Sequence, residues 1–298
     1  MKKVAITGGT GVIGEKLSAL LIKKGYEVIW ISRSKNAQNP YPTFLWTELN
    51  TCLKDVEYVI HLAGAGIVDK AWTDERKKTI LSSRTDTAQQ IFEYCKKENH
   101  QLKAFISSSA IGYYGIITSD KIYEEDDAPG NDFLADTCVQ WEASVDQFET
   151  LDIRTVKIRT GIVLSTDGGA LVEIAKPIKN NFGAAIGSGK QFIAWIHVKD
   201  LCNMYIHAIE NENMHGAFNA VAPEHKSNQE FTKAVALQLK KILWLPNVPA
   251  FVLKLMLGKR AQLVLEGSRV SASKILKSGF QFNYPKLNEA LQELYPKK

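Results

Sequence analysis

Short apolar runs alternate with amphipathic stretches through the first half of the chain. Lys3 to Thr7 reads as a strand, Glu15 to Lys24 as a helix closed by Gly25, and Glu27 to Ser32 as a second strand. Thr43–Trp46 and Val56–Ala63 read as further strands. A long helical pattern covers Thr73–Glu98, Ala104–Ser109 is a strand, Asn131–Thr150 is helical with Asn131 or Asp132 as N-cap, and Thr155–Leu164 is a strand. Strands this short and apolar, separated by helices, predict a parallel sheet covered on both faces. Right-handed crossovers then give an α/β, doubly wound Rossmann sheet.

The rhythm changes after Leu164. Ser165–Ala170 is turn-rich, and Asn180–Lys190 is loop-like with three glycines. Gln191–Ile196 and Ala217–Val221 read as strands around a helix over Val198–Glu210. The tail beyond Pro223 is mostly helical, with Pro246 and Pro249 as breakers. The expected organisation is a Rossmann domain over residues 1–165, completed by about 195–225. A smaller, mostly helical substrate lobe would comprise 166–194 and 226–298. No internal repeat interrupts this reading.

The turn after the first strand carries the clearest chemistry. It reads Thr7-Gly8-Gly9-Thr10-Gly11-Val12-Ile13-Gly14 and lies between a strand and a helix. Gly8 suits a tight turn, Gly11 lets the backbone approach a pyrophosphate, and Gly14 lets the helix pack on the strand. The helix N-terminus offers free N–H groups and partial positive charge to phosphates. The second strand ends in Ser32-Arg33-Ser34-Lys35, where a carboxylate would favour the ribose hydroxyls of NAD. Arg33, with Ser34 beside it, can instead grip a 2′-phosphate, so the expected cofactor is NADP(H), with NAD(H) as the alternative.

Composition narrows the partners. The formal charge is +5, from 37 basic and 32 acidic residues, but no basic block interleaved with aromatics is present, which argues against nucleic acid. The most apolar late stretch, Val248–Leu257, is broken by Lys254 and is too short for a membrane span. Met1-Lys2-Lys3 runs directly into a strand, with no room for a signal-peptide apolar region. Cys52, Cys95, Cys138 and Cys202 are scattered, without a CxxC pair, as expected of reduced thiols in a cytoplasmic protein. The histidines show no metal-ligand spacing, so no metal is expected.

Residues spread over nearly the whole chain carry a resemblance. They include the glycine turn, His61-Leu62-Ala63-Gly64, Trp72-Thr73, Ser83-Arg84, and the run from Ser107 to Gly115. Trp141-Glu142, Arg159-Thr160-Gly161, Gly187-Ser188-Gly189, Ala194-Trp195-Ile196-His197 and Gly279-Phe280-Gln281-Phe282 complete it. Together they resemble the extended or atypical short-chain dehydrogenase/reductases, within an NAD-dependent epimerase/dehydratase-like subgroup that has a C-terminal domain of unknown function. The resemblance implies that Leu62, Ala63 and Gly64 pass near the cofactor ribose and diphosphate. It also implies that Thr160 and Gly161 border the nicotinamide, and that Ser109 matches the serine that bonds the reacting oxygen.

The chain departs from that family at its acid/base pair. Active relatives use Tyr-x-x-x-Lys, whereas Leu134 and Cys138 stand at those two positions here, and Arg84 replaces a helix asparagine. Candidate substitutes are Tyr113 or Tyr114 as a phenol, Arg84 as a cation and Cys138 as a thiolate. Packing roles compete with each of these. Arg159, inside an apolar strand, predicts a buried or half-buried ion pair, and His197 a helix cap. Two functions follow: an NADP(H)-dependent oxidoreductase or sugar-nucleotide epimerase-like enzyme lacking the standard dyad, or a catalytically silent NADP(H)-binding regulator or sensor. The expected partners are a small-molecule substrate, either a nucleotide sugar or a carbonyl compound, and a second copy of the chain as a homodimer.

Overall fold

The computed structural model describes residues 1–296. Seven strands form one parallel sheet: β1 (Lys3–Thr7), β2 (Glu27–Ser32), β3 (Thr43–Leu45), β4 (Tyr58–His61), β5 (Ala104–Ala110), β6 (Arg154–Thr160) and β7 (Gly216–Ala220). Their order is β7-β6-β5-β4-β1-β2-β3, and every pairing is parallel. The order reverses between β1 and β4, which opens a crevice at their carboxyl ends.

Helices cover both faces. On one side α1 (Val12–Lys23) packs on α5 (Val198–Glu210), over a core that includes Val4, Ile6, Ile60, Ile106 and Ile158. On the other side α2 (Asp74–Glu98) and α3 (Phe133–Asp146) pack together over Ala5, Ile29, Val59 and Phe105. Alternate residues along each strand thus enter opposite cores, as a doubly covered parallel sheet requires. Thr73 caps α2, and Asp132 caps α3 by accepting from the Leu134 and Ala135 N–H groups. His197 caps α5 through a bond from the Lys199 N–H to Nδ1, at 3.2 Å.

A third cluster lies outside the sheet. It joins α4 (Ala170–Lys179), α6 (Asn228–Gln238) and α8 (Leu287–Leu294) around Leu171, Phe231 and Leu291. Between them in sequence, α7 (Ala250–Leu257) buries no residue. Helix α4 is not announced by the apolar pattern, because Pro177 sits inside it. The tail is not separate from the sheet: Val270, Ala272, Ile275 and Phe280 are buried in the same cluster as Val4 and Ile6.

Two strands are shorter than expected, for visible reasons. The expected strand Thr155–Leu164 breaks at Gly161. There the Gly161 N–H donates to Ala220, while Ile162–Leu164 turns away to pair with Trp195–His197. Strand β4 ends at His61 because the Leu62 and Ala63 N–H groups both donate to Thr7 Oγ1, each at 3.0 Å. Among the described residues no helix is long and apolar enough to cross a membrane.

Candidate functional site

The crevice holds a cavity of about 300 Å³ at the ends of β1, β2 and β4. It brings together Gly8, Thr10 and Gly11 from the turn, Arg33 from the end of β2, and Leu62, Ala63 and Gly64 from the loop after β4. Further lining residues to which sequence reading assigned no role include Trp46 after β3, Ala65 after β4, and Ser83 and Thr87 on α2. Ser83 accepts from the Ala65 N–H at 2.9 Å and so holds the loop after β4. Its place on the inward face of α2 is a weak signal, and a tryptophan directly after a strand end is a stronger one.

The glycines divide their duties as their geometry demands. Gly8 has φ +69°, and a Cβ there would lie 2.8 Å from the Leu62 carbonyl oxygen. Gly14 has no room either, with Gly8 and Gly9 backbone atoms at 2.6 Å from an added Cβ. Gly11 differs. A Cβ there meets only the Gly8 carbonyl oxygen, at 3.4 Å, so the space beside it is open. Gly11 is also the N-cap of α1, and no side chain caps that helix. Val12, Ile13 and Gly14 form its first turn, whose N–H groups have no partner within the helix. The arrangement offers a concave N–H surface to an anion, with no Cβ in the way.

Arg33 is exposed in the cavity wall and makes no ion pair among the described residues. Its neighbour Lys35 is taken by Glu48 at 2.7 Å. Ser34 is exposed and does not line the cavity; its N–H faces Ser32 Oγ at 3.5 Å.

Arg84 is buried under this site rather than facing it. It donates to the Ala65 carbonyl at 3.1 Å and to the Ile80 carbonyl at 2.6 Å, and its guanidinium lies 4.9 Å from the Trp141 ring centroid. No carboxylate pairs with it among the described residues, and burial pulls its pKa below the ordinary arginine value. His61 lies next to it, within 3.1 Å of Ser107 Oγ and 2.9 Å of Thr87 Oγ1. Burial, with the Arg84 charge adding to it, holds the His61 pKa down at about 3, so the ring is neutral.

The groups expected at the cleft are instead joined in a buried network. Ser109 is 2 % exposed, and its Oγ donates to Glu142 at 2.7 Å. Arg159 makes the predicted buried pair, donating to both Glu142 oxygens at 2.8 Å. Burial opposes its charge, but the Glu142 bonds outweigh burial and raise the guanidinium pKa. Arg159 also donates to the Tyr114 hydroxyl, which in turn donates to Asn219 Oδ1 at 2.7 Å. Glu142 is the functional partner that sequence reasoning missed. The signal was Arg159 itself, since a buried cation demands a carboxylate.

These placements decide three open alternatives, toward packing at Tyr114 and Cys138 and away from the cavity at Arg84. Tyr114 does not present a phenol to the cleft: its hydroxyl is fully engaged, and burial pushes its pKa up to about 12. Cys138 is no thiolate, because burial, helped by the Glu142 charge, raises its thiol to about 12 against the weaker pull of Arg84. Arg84 reaches the underside of the loop after β4 instead of the cavity itself. Tyr113, unlike Tyr114, makes no hydroxyl bond among the described residues, and its ring lies 3.5 Å from the Arg159 guanidinium. Thr160 and Gly161 lie apart from the first cavity. An added Cβ on Gly161 would meet the Ala194 carbonyl oxygen at 2.5 Å. Ile162, next in sequence, lines a second cavity, together with Leu134. No group of three metal-ligating side chains occurs among the described residues.

Comparison with known proteins places these features in a lineage. Residues 4–151 match the NAD dependent epimerase/dehydratase family, and residues 248–294 match a domain of unknown function (DUF1731). The chain is 35% identical to the epimerase family protein SSP1921 of Staphylococcus saprophyticus, over 99% of each chain. The crystal structure of the human epimerase family protein SDR39U1 (isoform 2) with NADPH superposes with a TM-score of 0.89 at 32% identity, covering 98% of this chain and 99% of that one. A nucleoside-diphosphate sugar epimerase from Corynebacterium glutamicum gives a TM-score of 0.80 at 30% identity, covering 99% of this chain and 58% of that one.

Proposed function

This chain belongs to the NAD dependent epimerase/dehydratase family, and we propose that it is an NADP(H)-dependent oxidoreductase working without the Tyr-x-x-x-Lys pair of active relatives. One observation carries the cofactor choice: Arg33 stands in the cavity wall at the end of β2 with its charge unspent. A guanidinium there suits a 2′-phosphate, where NAD would call for a carboxylate. The human relative crystallised with NADPH supports the same cofactor, and NAD(H) is the weaker alternative.

The residues present fit a dinucleotide. The open space beside Gly11 and the uncapped start of α1 suit the diphosphate. Trp46 and Arg33 flank a slot for the adenine, and Leu62, Ala63 and Gly64 supply the ribose side. When bound, the nicotinamide supplies or accepts a hydride. The protein's own part is to hold the reacting oxygen and move a proton, and Tyr113, whose hydroxyl makes no bond among the described residues, is the phenol assigned to it. Ser109 acts as a positioning residue, through Glu142 and Arg159.

The silent-regulator reading has one observation in its favour: Leu134 and a buried Cys138 occupy the dyad positions. The two readings separate in an assay of NADPH consumption against a panel of carbonyl compounds. Turnover is expected, with Tyr113→Phe slower by roughly 10²–10⁴-fold, the scale of a positioned acid/base group. Tight NADPH binding with no turnover on any carbonyl would favour the regulator.

A further inference from the structure

The second cavity differs from the first in kind. It measures about 200 Å³ and lies between the ends of β5 and β6 and the tail. Its wall is built from Ala110, Leu134, Ile162, Phe192, Leu263 and Val270. Most polar groups of the lining are already engaged, although the Tyr123 hydroxyl makes no bond among the described residues. Ser268 Oγ donates to the Ile117 carbonyl at 2.5 Å, and the Tyr114 hydroxyl is held by Asn219. The Gly115 N–H donates to the Gly112 carbonyl at 3.0 Å, and the Gly267 N–H to Thr118 Oγ1 at 3.1 Å. The Gly267 carbonyl accepts from Phe192 at 3.0 Å.

No lysine, arginine or histidine lines this space. Its one charged lining side chain is Glu266, which takes the Thr118 hydroxyl at 2.5 Å. Arg269 follows Ser268 in sequence but stays outside the lining. It donates to the Asp120 carbonyl and lies 5.2 Å from the Phe192 ring centroid. A diphosphate placed here would lose its water, gain no cation and meet a carboxylate. Sugar hydroxyls would find few free partners. An apolar body would displace water from apolar walls at no such cost.

We propose that this cavity takes an uncharged apolar or aromatic carbonyl compound and not a nucleotide sugar. Leu134, which the family resemblance sets at the dyad's tyrosine position, extends the apolar wall there. Five lining residues, Leu263, Glu266, Gly267, Ser268 and Val270, belong to the segment of unknown function over 248–294. The proposal gives that segment a role: it closes the substrate cavity against the Rossmann sheet. The reaction still rests on the NADP(H) reading, whereas the binding preference does not.

The test measures binding of acetophenone, benzoate and UDP-glucose by ligand-detected NMR, with and without NADPH, alongside NADPH affinity by calorimetry. A dry cavity on the order of 150 Å³ accepts benzene, so the size of acetophenone is suitable. Acetophenone is expected to bind at least tenfold more tightly than benzoate, which has the same ring and a negative charge. UDP-glucose should not displace it. Leu263→Glu, on the partly exposed rim, should weaken acetophenone about tenfold and leave NADPH affinity within twofold. Ala194→Phe, which fills the wall from the other side, should do the same. Benzoate or UDP-glucose binding as tightly as acetophenone would overturn the proposal, and so would ketone binding indifferent to both substitutions. Failure of NADPH to bind would instead strike the cofactor reading and leave this comparison standing.

Discussion

Gly11 and His61 show how much a single residue decides here. Gly11 has φ −84° and ψ 163°, an extended conformation open to any side chain, and its Cβ direction is empty. Gly11→Val should therefore fold normally while placing a branched chain in the anion cradle. Calorimetry should show NADPH affinity reduced by about tenfold or more, the scale of one lost charge-assisted bond, ~1.5–3 kcal/mol. Unchanged affinity in a folded variant would mean that no phosphate approaches Gly11. His61 contributes to acid stability. Its folded pKa of about 3 lies below its ordinary value of 6.5, so the unfolded chain binds more protons. The stability it contributes is complete above pH 6.5 and is lost as pH falls from there toward 3. Urea midpoints across that window should fall less steeply for His61→Gln than for the wild type. Parallel slopes would show that His61 is not held neutral.

Between elements, the Arg159–Glu142 pair ties β6 to α3, and Ser109 and Tyr114 tie β5 and the turn after it into the same network. Glu142→Ala leaves a buried cation with no carboxylate and should cost about 3–5 kcal/mol in urea unfolding. The double variant Glu142→Leu with Arg159→Met should recover much of that loss, because it removes both charges. Equal loss in both variants would mean that the pair matters as packing. The main strands and helices of the first half were legible because each is periodic and bounded by a cap, a turn or a glycine. Strand β2 and helix α5 have the expected bounds to the residue. Helix α4 was hidden by Pro177, and the break at Gly161 by strand-forming residues on both sides of it. The cofactor side was legible because a glycine turn works through the backbone and local order. The network was not, because Glu142, Ser109 and Tyr114 meet Arg159 only through tertiary packing.

At the scale of the whole molecule, one sheet edge carries two cavities of opposite character. The first is larger, lined by the glycine turn and flanked by an arginine; the second is smaller and mostly apolar. The tail closes the second cavity while burying Val270, Ala272, Ile275 and Phe280 in the sheet's own core, so the two parts are built as one body. This division of labour depends on the first cavity being an NADP(H) site, and Arg33 is where that claim is most exposed. Calorimetric titration of wild type and Arg33→Ala with NADPH and NADH tests it directly. NADPH should bind the wild type roughly 10- to 100-fold more tightly than NADH, in line with ~1.5–3 kcal/mol for a charge-assisted phosphate contact. Arg33→Ala should erase that difference by weakening NADPH alone. Equal affinities for the two cofactors in the wild type, or a preference that survives Arg33→Ala, would contradict the account.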